Sequence, residues 1–118
     1  MTFPRRRRVF LVSFDPTIGH EIQKTRPAVI IQNDVSNEYS PITIVAAISS
    51  QFATPPRPRE VIVAPGGRSG LTETSAVILN QIRSVDRARL RKRLGVLDAT
   101  TMRRVNDALK ISLGLIEF

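Results

Sequence analysis

Few side chains in this sequence can do covalent chemistry, and that scarcity narrows the reaction. A single histidine and no cysteine exclude a two-histidine ribonuclease scheme and any thiol mechanism. The carboxylates show no metal-ligand spacing, so neither a metal site nor a cofactor is expected. Arginine, hydroxyl and carboxylate remain. Arg26 stands before Pro27 at the head of an apolar run, Glu21 lies upstream of it in the same polar stretch, and Ser49 closes the apolar run 42–48. A guanidinium keeps its charge at ordinary pH and donates from a fixed fork, which suits a phosphorane-like transition state. Ser49 can add a hydrogen bond to a non-bridging phosphate oxygen, and Glu21 can accept the proton of a 2′-hydroxyl. RNA brings that nucleophile itself. The first step then calls for no metal and no water, and leaves a 2′,3′-cyclic phosphate and a free 5′-hydroxyl. The competing reading of Arg26 is a strand-entrance cation in a surface ion pair. His20, alone in a polar loop, reads as an exposed residue rather than a ligand.

These groups need a rigid scaffold, and the hydropathy pattern supplies one. Pro27 fixes its own φ and pushes Arg26 toward an extended conformation, which predicts Arg26 as the last loop residue before a strand over 28–31. That strand shows no alternation, so both faces should be covered, and Gln32-Asn33-Asp34 should end it. A first strand is expected over 9–14, followed by a functional loop to Lys24 that carries Thr17, Gly19 and His20. Residues 35–41 read as a turn-rich connection, 42–48 as a buried strand, and 60–64, 75–80 and 82–85 as further strands. Pro55, Pro56 and Pro58 stiffen the loop between them. At least six short β segments joined by turns suggest a small barrel. From Asp86, a plausible N-cap, Leu90 and Leu94 at a spacing of four predict a helix ended by Gly95. Asp98 should cap a second helix with Met102, Val105, Leu109, Leu113 and Ile116 as its apolar stripe, left over for a partner copy. There are no repeats and no linker, so residues 1–118 form one domain.

Eighteen lysines and arginines against ten acidic residues give a formal charge of +8 and a pI near 11.4, which points to a polyanion, with nucleic acid first. The run Arg5-Arg6-Arg7-Arg8 is expected to be a solvated terminus that attracts phosphate, and Arg87, Arg89, Arg91, Lys92 and Arg93 a charged helix face. No apolar run approaches the ~18 residues needed to span a bilayer, which fits a cytoplasmic protein with no membrane partner.

Four stretches carry a resemblance. They are Phe14-Asp15-Pro16-Thr17 through Gly19-His20-Glu21, Arg26-Pro27 through Gln32-Asn33-Asp34, Ile44 to Ser49, and Gln81-Ile82-Arg83 through Leu113-Gly114-Leu115-Ile116. In these the sequence closely resembles the MazF/PemK family of toxin endoribonucleases, over nearly its whole length. The resemblance implies a mainly β (α+β) fold, an SH3-like small barrel of the plasmid-maintenance-toxin (CcdB/PemK) type with added C-terminal helices. It also implies a homodimer, sequence-selective cleavage of single-stranded mRNA, and inhibition by a cognate MazE-like antitoxin whose acidic C-terminal segment occupies the RNA site. By the same resemblance Arg26, Ser49 and Glu21 are catalytic, and Thr17, Gly19, His20, Asn33, Gln81 and Arg83 contact RNA. The chain departs from the family in having Arg7-Arg8 where Gly-Asp is usual, Ser49 where threonine is common, and His20 where serine is frequent. Two other readings stay open. One is a non-catalytic inhibitor of DNA gyrase, whose tryptophan-containing C-terminus has no counterpart in the ending Leu115-Ile116-Glu117-Phe118; the other is a basic RNA-binding barrel without turnover.

Overall fold

The computed structural model of the protein describes residues 3–117; Met1, Thr2 and Phe118, the last residue of the C-terminal quartet, lie outside the described residues. Six strands are formed: β1 (Arg8–Ser13), β2 (Thr25–Ile30), β3 (Ile42–Ser49), β4 (Glu60–Val63), β5 (Ser75–Asp86) and β6 (Leu90–Val96). Two helices join them, α1 (Asp34–Tyr39) and α2 (Ala99–Ser112). The strands make one antiparallel sheet in the order β4-β5-β3-β2-β1-β6, so the protein is mainly β as expected.

The unalternating runs behave as two-sided strands should. Val29, Ile31, Ala46 and Ile48 pack into one apolar cluster with Val61, Val77, Leu79 and α2, while Ala28, Ile30, Val45 and Ala47 pack into another with Val12, Phe14 and Val85. Successive residues on β2 and β3 therefore serve opposite cores. The loop after β4 closes the sheet on itself. Arg68 O accepts the Val96 N–H at 2.8 Å, and the backbones are so close that a Cβ on Gly95 would lie 2.0 Å from Arg68 O.

Four expectations need correction. Arg26 is not in the loop but is the second residue of β2, paired with Val12. Residues 35–41 hold helix α1, because Asn33 Oδ1 accepts the Ser36 N–H at 2.8 Å and caps it. Asp86 does cap, accepting the Ala88 N–H, but the helix is one 3₁₀ turn (Arg87–Arg89) and the chain continues as β6. Two register shifts against β1 bulge Arg91 and Leu94 out of the β6 ladder, so Leu90 and Leu94 join opposite cores rather than sharing a helix face. The two strands expected over 75–85 are one, with the register against β3 jumping from Ile82 to Ile78. Asp98 caps α2 as read, through the Thr101 N–H at 2.7 Å.

The apolar stripe of α2 is also spent differently. Met102, Val105 and Ala108 are buried against the chain's own sheet, and Leu113 and Ile116 remain exposed beyond them. No helix among the described residues is long and apolar enough to cross a membrane.

Candidate active site

The candidate cleft exists because two neighbouring strands part. β2 and β3 pair only from Ala28 (with Ala47) to Ile30. Beyond that point β2 runs back through Pro27 and Arg26 beside β1 alone, while β3 runs on through Ile48 and Ser49 beside β5 alone. Pro27 has no N–H to give, so it can sit where β2 lacks a partner on that side. The gap is a cleft of about 520 Å³ lined by Arg26, Ser49 and Glu21, with Leu11, Leu94 and Glu73 among its other walls.

Arg26, Ser49 and Glu21 each keep unused hydrogen-bonding capacity. Arg26 is exposed, and among the described residues its guanidinium makes one hydrogen bond, from Nε to Gln23 O at 3.3 Å. Ser49 Oγ accepts the Gln51 N–H at 3.1 Å, which leaves its own proton to donate. Glu21 Oε1 accepts the Ile18 N–H at 2.7 Å, and its second oxygen has no hydrogen bond among the described residues. Such a constellation can hold a phosphate between a fixed cation and a hydroxyl, with a carboxylate beside it.

Glu21 comes from a loop that is held at both ends. Asp15 Oδ1 accepts the Lys24 N–H at 2.9 Å, and Phe14 N donates to Lys24 O at 2.8 Å, closing the neck. Gln81, in the β5 bulge, uses both ends of its amide: Nε2 donates to His20 O and Oε1 accepts the Ile22 N–H, each at 3.2 Å. Arg83 donates to Phe14 O, and Arg89 Nη1 donates to Ser13 O and Asp15 O. His20, Glu21, Gln81 and Arg83 line a second cleft of about 410 Å³, which shares Glu21 and Ile22 with the first.

Not every expected residue gathers there. Thr17 and Gly19 sit in the loop without lining either cleft, and Thr17 Oγ1 lies 3.5 Å from Asp15 Oδ1. Asn33 caps α1 and lines neither cleft. Its neighbours are structural too: Gln32 Nε2 donates to the buried Asn37, and Asp34 Oδ1 accepts from Arg6 N. Sequence reasoning missed Glu73, a second cleft carboxylate, and Arg89, a loop clamp. Neither carries a local signal, since the contacts that recruit them are made across the fold.

The fold is that of a small antiparallel β protein of the MazF type. MazF from Deinococcus radiodurans superposes with a TM-score of 0.80 at 23% identity, over 97% of this chain and 99% of that one. An endoribonuclease solved in complex with its cognate antitoxin, from a mycobacterial species, superposes with a TM-score of 0.78 at 22% identity, covering 98% and 99% of the two chains. The model for the PemK-like, MazF-like toxin of type II toxin-antitoxin systems matches residues 5–113, and the chain belongs to that family. It is 39% identical to endoribonuclease EndoA of Bacillus subtilis over 114 residues, 97% of each chain. It is 41% identical to endoribonuclease MazF of Staphylococcus saprophyticus over 111 residues, 94% of this chain and 92% of that one.

Proposed function

We propose that the protein is a toxin endoribonuclease that cuts single-stranded mRNA by transesterification, and that a MazE-like antitoxin with an acidic C-terminal segment neutralises it. The observation that carries this reading is the convergence of Arg26, Ser49 and Glu21 from three chain segments into one cleft. The names of the relatives, and the antitoxin bound to the mycobacterial neighbour, support it.

In this reading the scissile phosphate sits against Arg26, whose fork neutralises the charge that builds on the non-bridging oxygens. Ser49 donates its free proton to one of them. Glu21 takes the 2′-hydroxyl proton on its second oxygen, the 2′ oxygen bonds to phosphorus, and the P–O5′ bond breaks. The departing 5′ oxygen takes a proton from the solvent, which supplies no nucleophile to this step. The products are a 2′,3′-cyclic phosphate and a 5′-hydroxyl. The neighbouring cleft holds the adjacent nucleotides, where His20 and Arg83 contact base edges of unstacked RNA, with Thr17 and Gly19 at the loop tip and Gln81 holding the loop in place. Asn33 serves this reading only through α1. Leu113, Leu115 and Ile116, exposed at the end of α2, offer the apolar surface for a homodimer.

The test is cleavage in EDTA of a single-stranded oligoribonucleotide and of the same strand with one 2′-deoxy substitution at the cut site. The all-RNA strand should be cut and the substituted one should not. Cleavage of the deoxy strand, or activity that appears only when a divalent ion is restored, would overturn the scheme.

A further inference from the structure

We propose that a separate cleft between the N-terminal segment and β6 is a second binding site for single-stranded RNA, one that holds the strand flanking the cut; this rests on the ribonuclease reading above. The cleft measures about 420 Å³ and gathers Arg5, Arg8, Arg87 and Arg93 around the rings of Phe3 and Phe10, with no carboxylate in its lining.

The basic run at the N-terminus is not a solvated tail. Arg6 is tied down by its N–H to Asp34 Oδ1 at 2.7 Å, its Nε to Ile31 O at 2.8 Å and its Nη2 to Asn106 Oδ1 at 2.6 Å. Arg7 Nε donates to Leu97 O at 3.0 Å. These two structural arginines fix the segment, and the two that flank them, Arg5 and Arg8, turn to the cleft. Arg87 reaches it from the 3₁₀ turn. One of its terminal nitrogens is committed to Asn37 O, and its Nε is buried with no partner among the described residues.

Four arginines line so small a space with no carboxylate among them, which makes it attractive to an anion. Phosphate oxygens supply that charge. The aromatic rings add what a bare phosphate would not use: Arg5 stacks its guanidinium 4.5 Å from the Phe3 ring centroid, and such a pair presents flat faces to a base. Cations and rings together fit a nucleotide strand with unstacked bases, not a duplex.

The position fits a strand that continues from the cleavage cleft. Leu11 and Leu94 face that cleft, whereas Phe10 and Arg93, their sequence neighbours, face this one. Strand alternation therefore puts the two clefts on opposite faces of the β1–β6 pair. β6 is the outer strand of the sheet, and Arg91 and Lys92 are exposed on it. The loop after β4 covers β6 at Leu94–Val96, so an RNA leaving the cleavage cleft follows Arg91 and Lys92, on the uncovered part of the strand, round the edge into the cleft beside Phe10.

The experiment measures binding of non-cleavable RNAs, each with a 2′-deoxy cut-site nucleotide, to the wild type and to Arg5→Glu/Arg93→Glu. Both side chains are exposed and make no hydrogen bond among the described residues, and the milder Arg5→Gln/Arg93→Gln guards against misfolding. A strand of about sixteen nucleotides should bind the wild type about tenfold more tightly than one of about five. The double variant should lose that advantage, the glutamine pair should lose part of it, and cleavage of the short all-RNA strand should stay at the wild-type rate. An undiminished advantage in both variants overturns the proposal. So does a variant that keeps its RNA affinity while losing affinity for a glutamate-rich peptide, which would assign the cleft to an acidic protein segment. If the wild type does not cut the short all-RNA strand, the ribonuclease reading fails on its own, and the affinities still decide the cleft.

Discussion

Ser49 offers one neutral donor and Glu21 a proton acceptor, so replacing them should cost different amounts. Ser49→Ala removes a hydrogen bond and should slow cleavage about tenfold, the equivalent of ~1.4 kcal/mol. Ser49→Thr should keep the rate, because the hydroxyl stays and the β-branch stiffens χ1. Glu21→Gln should cost about 100-fold or more, since a base is lost. Glutamine can still accept the Ile18 N–H, so this variant should leave the loop in place. Single-turnover rates at saturating RNA check these outcomes, and equal losses for Ser49→Ala and Glu21→Gln would remove the distinction. Arg26 and Ser49 could be picked from type and spacing because each adjoins a strand run that announces itself, and Glu21 because it is the carboxylate in the polar loop that leads to Arg26. Gln81 was reachable only by resemblance, and its amide bridge to His20 and Ile22 spans a sequence distance that local pattern cannot see.

The elements that hold the site carry their own tests. Arg7, where glycine is usual in the family, sits at φ 83, in the left-handed region. Arg7→Gly and Arg7→Ala both lose the bond to Leu97 O, but only alanine keeps the backbone strain. The glycine variant should therefore be the more stable of the two by about 1 kcal/mol in urea unfolding. At the start of α2, the Thr101 backbone N–H, reinforced by its side chain, holds the Asp98 carboxyl below the usual carboxylate value. A carboxyl whose pKa is lower in the folded chain binds fewer protons there, so its contribution is present above the unfolded value and is lost as pH falls through the folded one. Thermal melts should show Asp98→Asn losing less stability than the wild type on acidification below that range; parallel curves would refute the assignment. Strands with both faces buried were legible because their apolar runs are unbroken. β6 was not, because bulges at Arg91 and Leu94 set its leucines at a spacing that mimics a helix. α1 was hidden by its shortness, and its buried Asn37 is satisfied by Gln32, Asp34 and Thr43 only once the fold has formed.

At the scale of the molecule, the charge of +8 should make RNA affinity fall steeply with salt. Each phosphate neutralised contributes about 0.7 to the slope of log affinity against log salt for a single strand, so a slope of several units is expected in a titration from low to physiological salt. A flat titration would mean that the basic surfaces do not meet the RNA backbone. The sheet topology was read only as a class, because strand order depends on long-range pairing, and so the parting of β2 from β3 that opens the cleft could not be foreseen. That parting sets Arg26 on a strand flanking an open gap, and the account depends on its guanidinium acting there. The most direct measurement is the single-turnover cleavage rate of Arg26→Ala and Arg26→Lys on a single-stranded RNA in EDTA, with circular dichroism to show that both fold. Loss of the preorganised fork should slow Arg26→Ala by about 100-fold or more, and lysine, which cannot hold two phosphate oxygens at once, should restore little of it. A folded Arg26→Ala that cuts RNA at the wild-type rate would contradict the account.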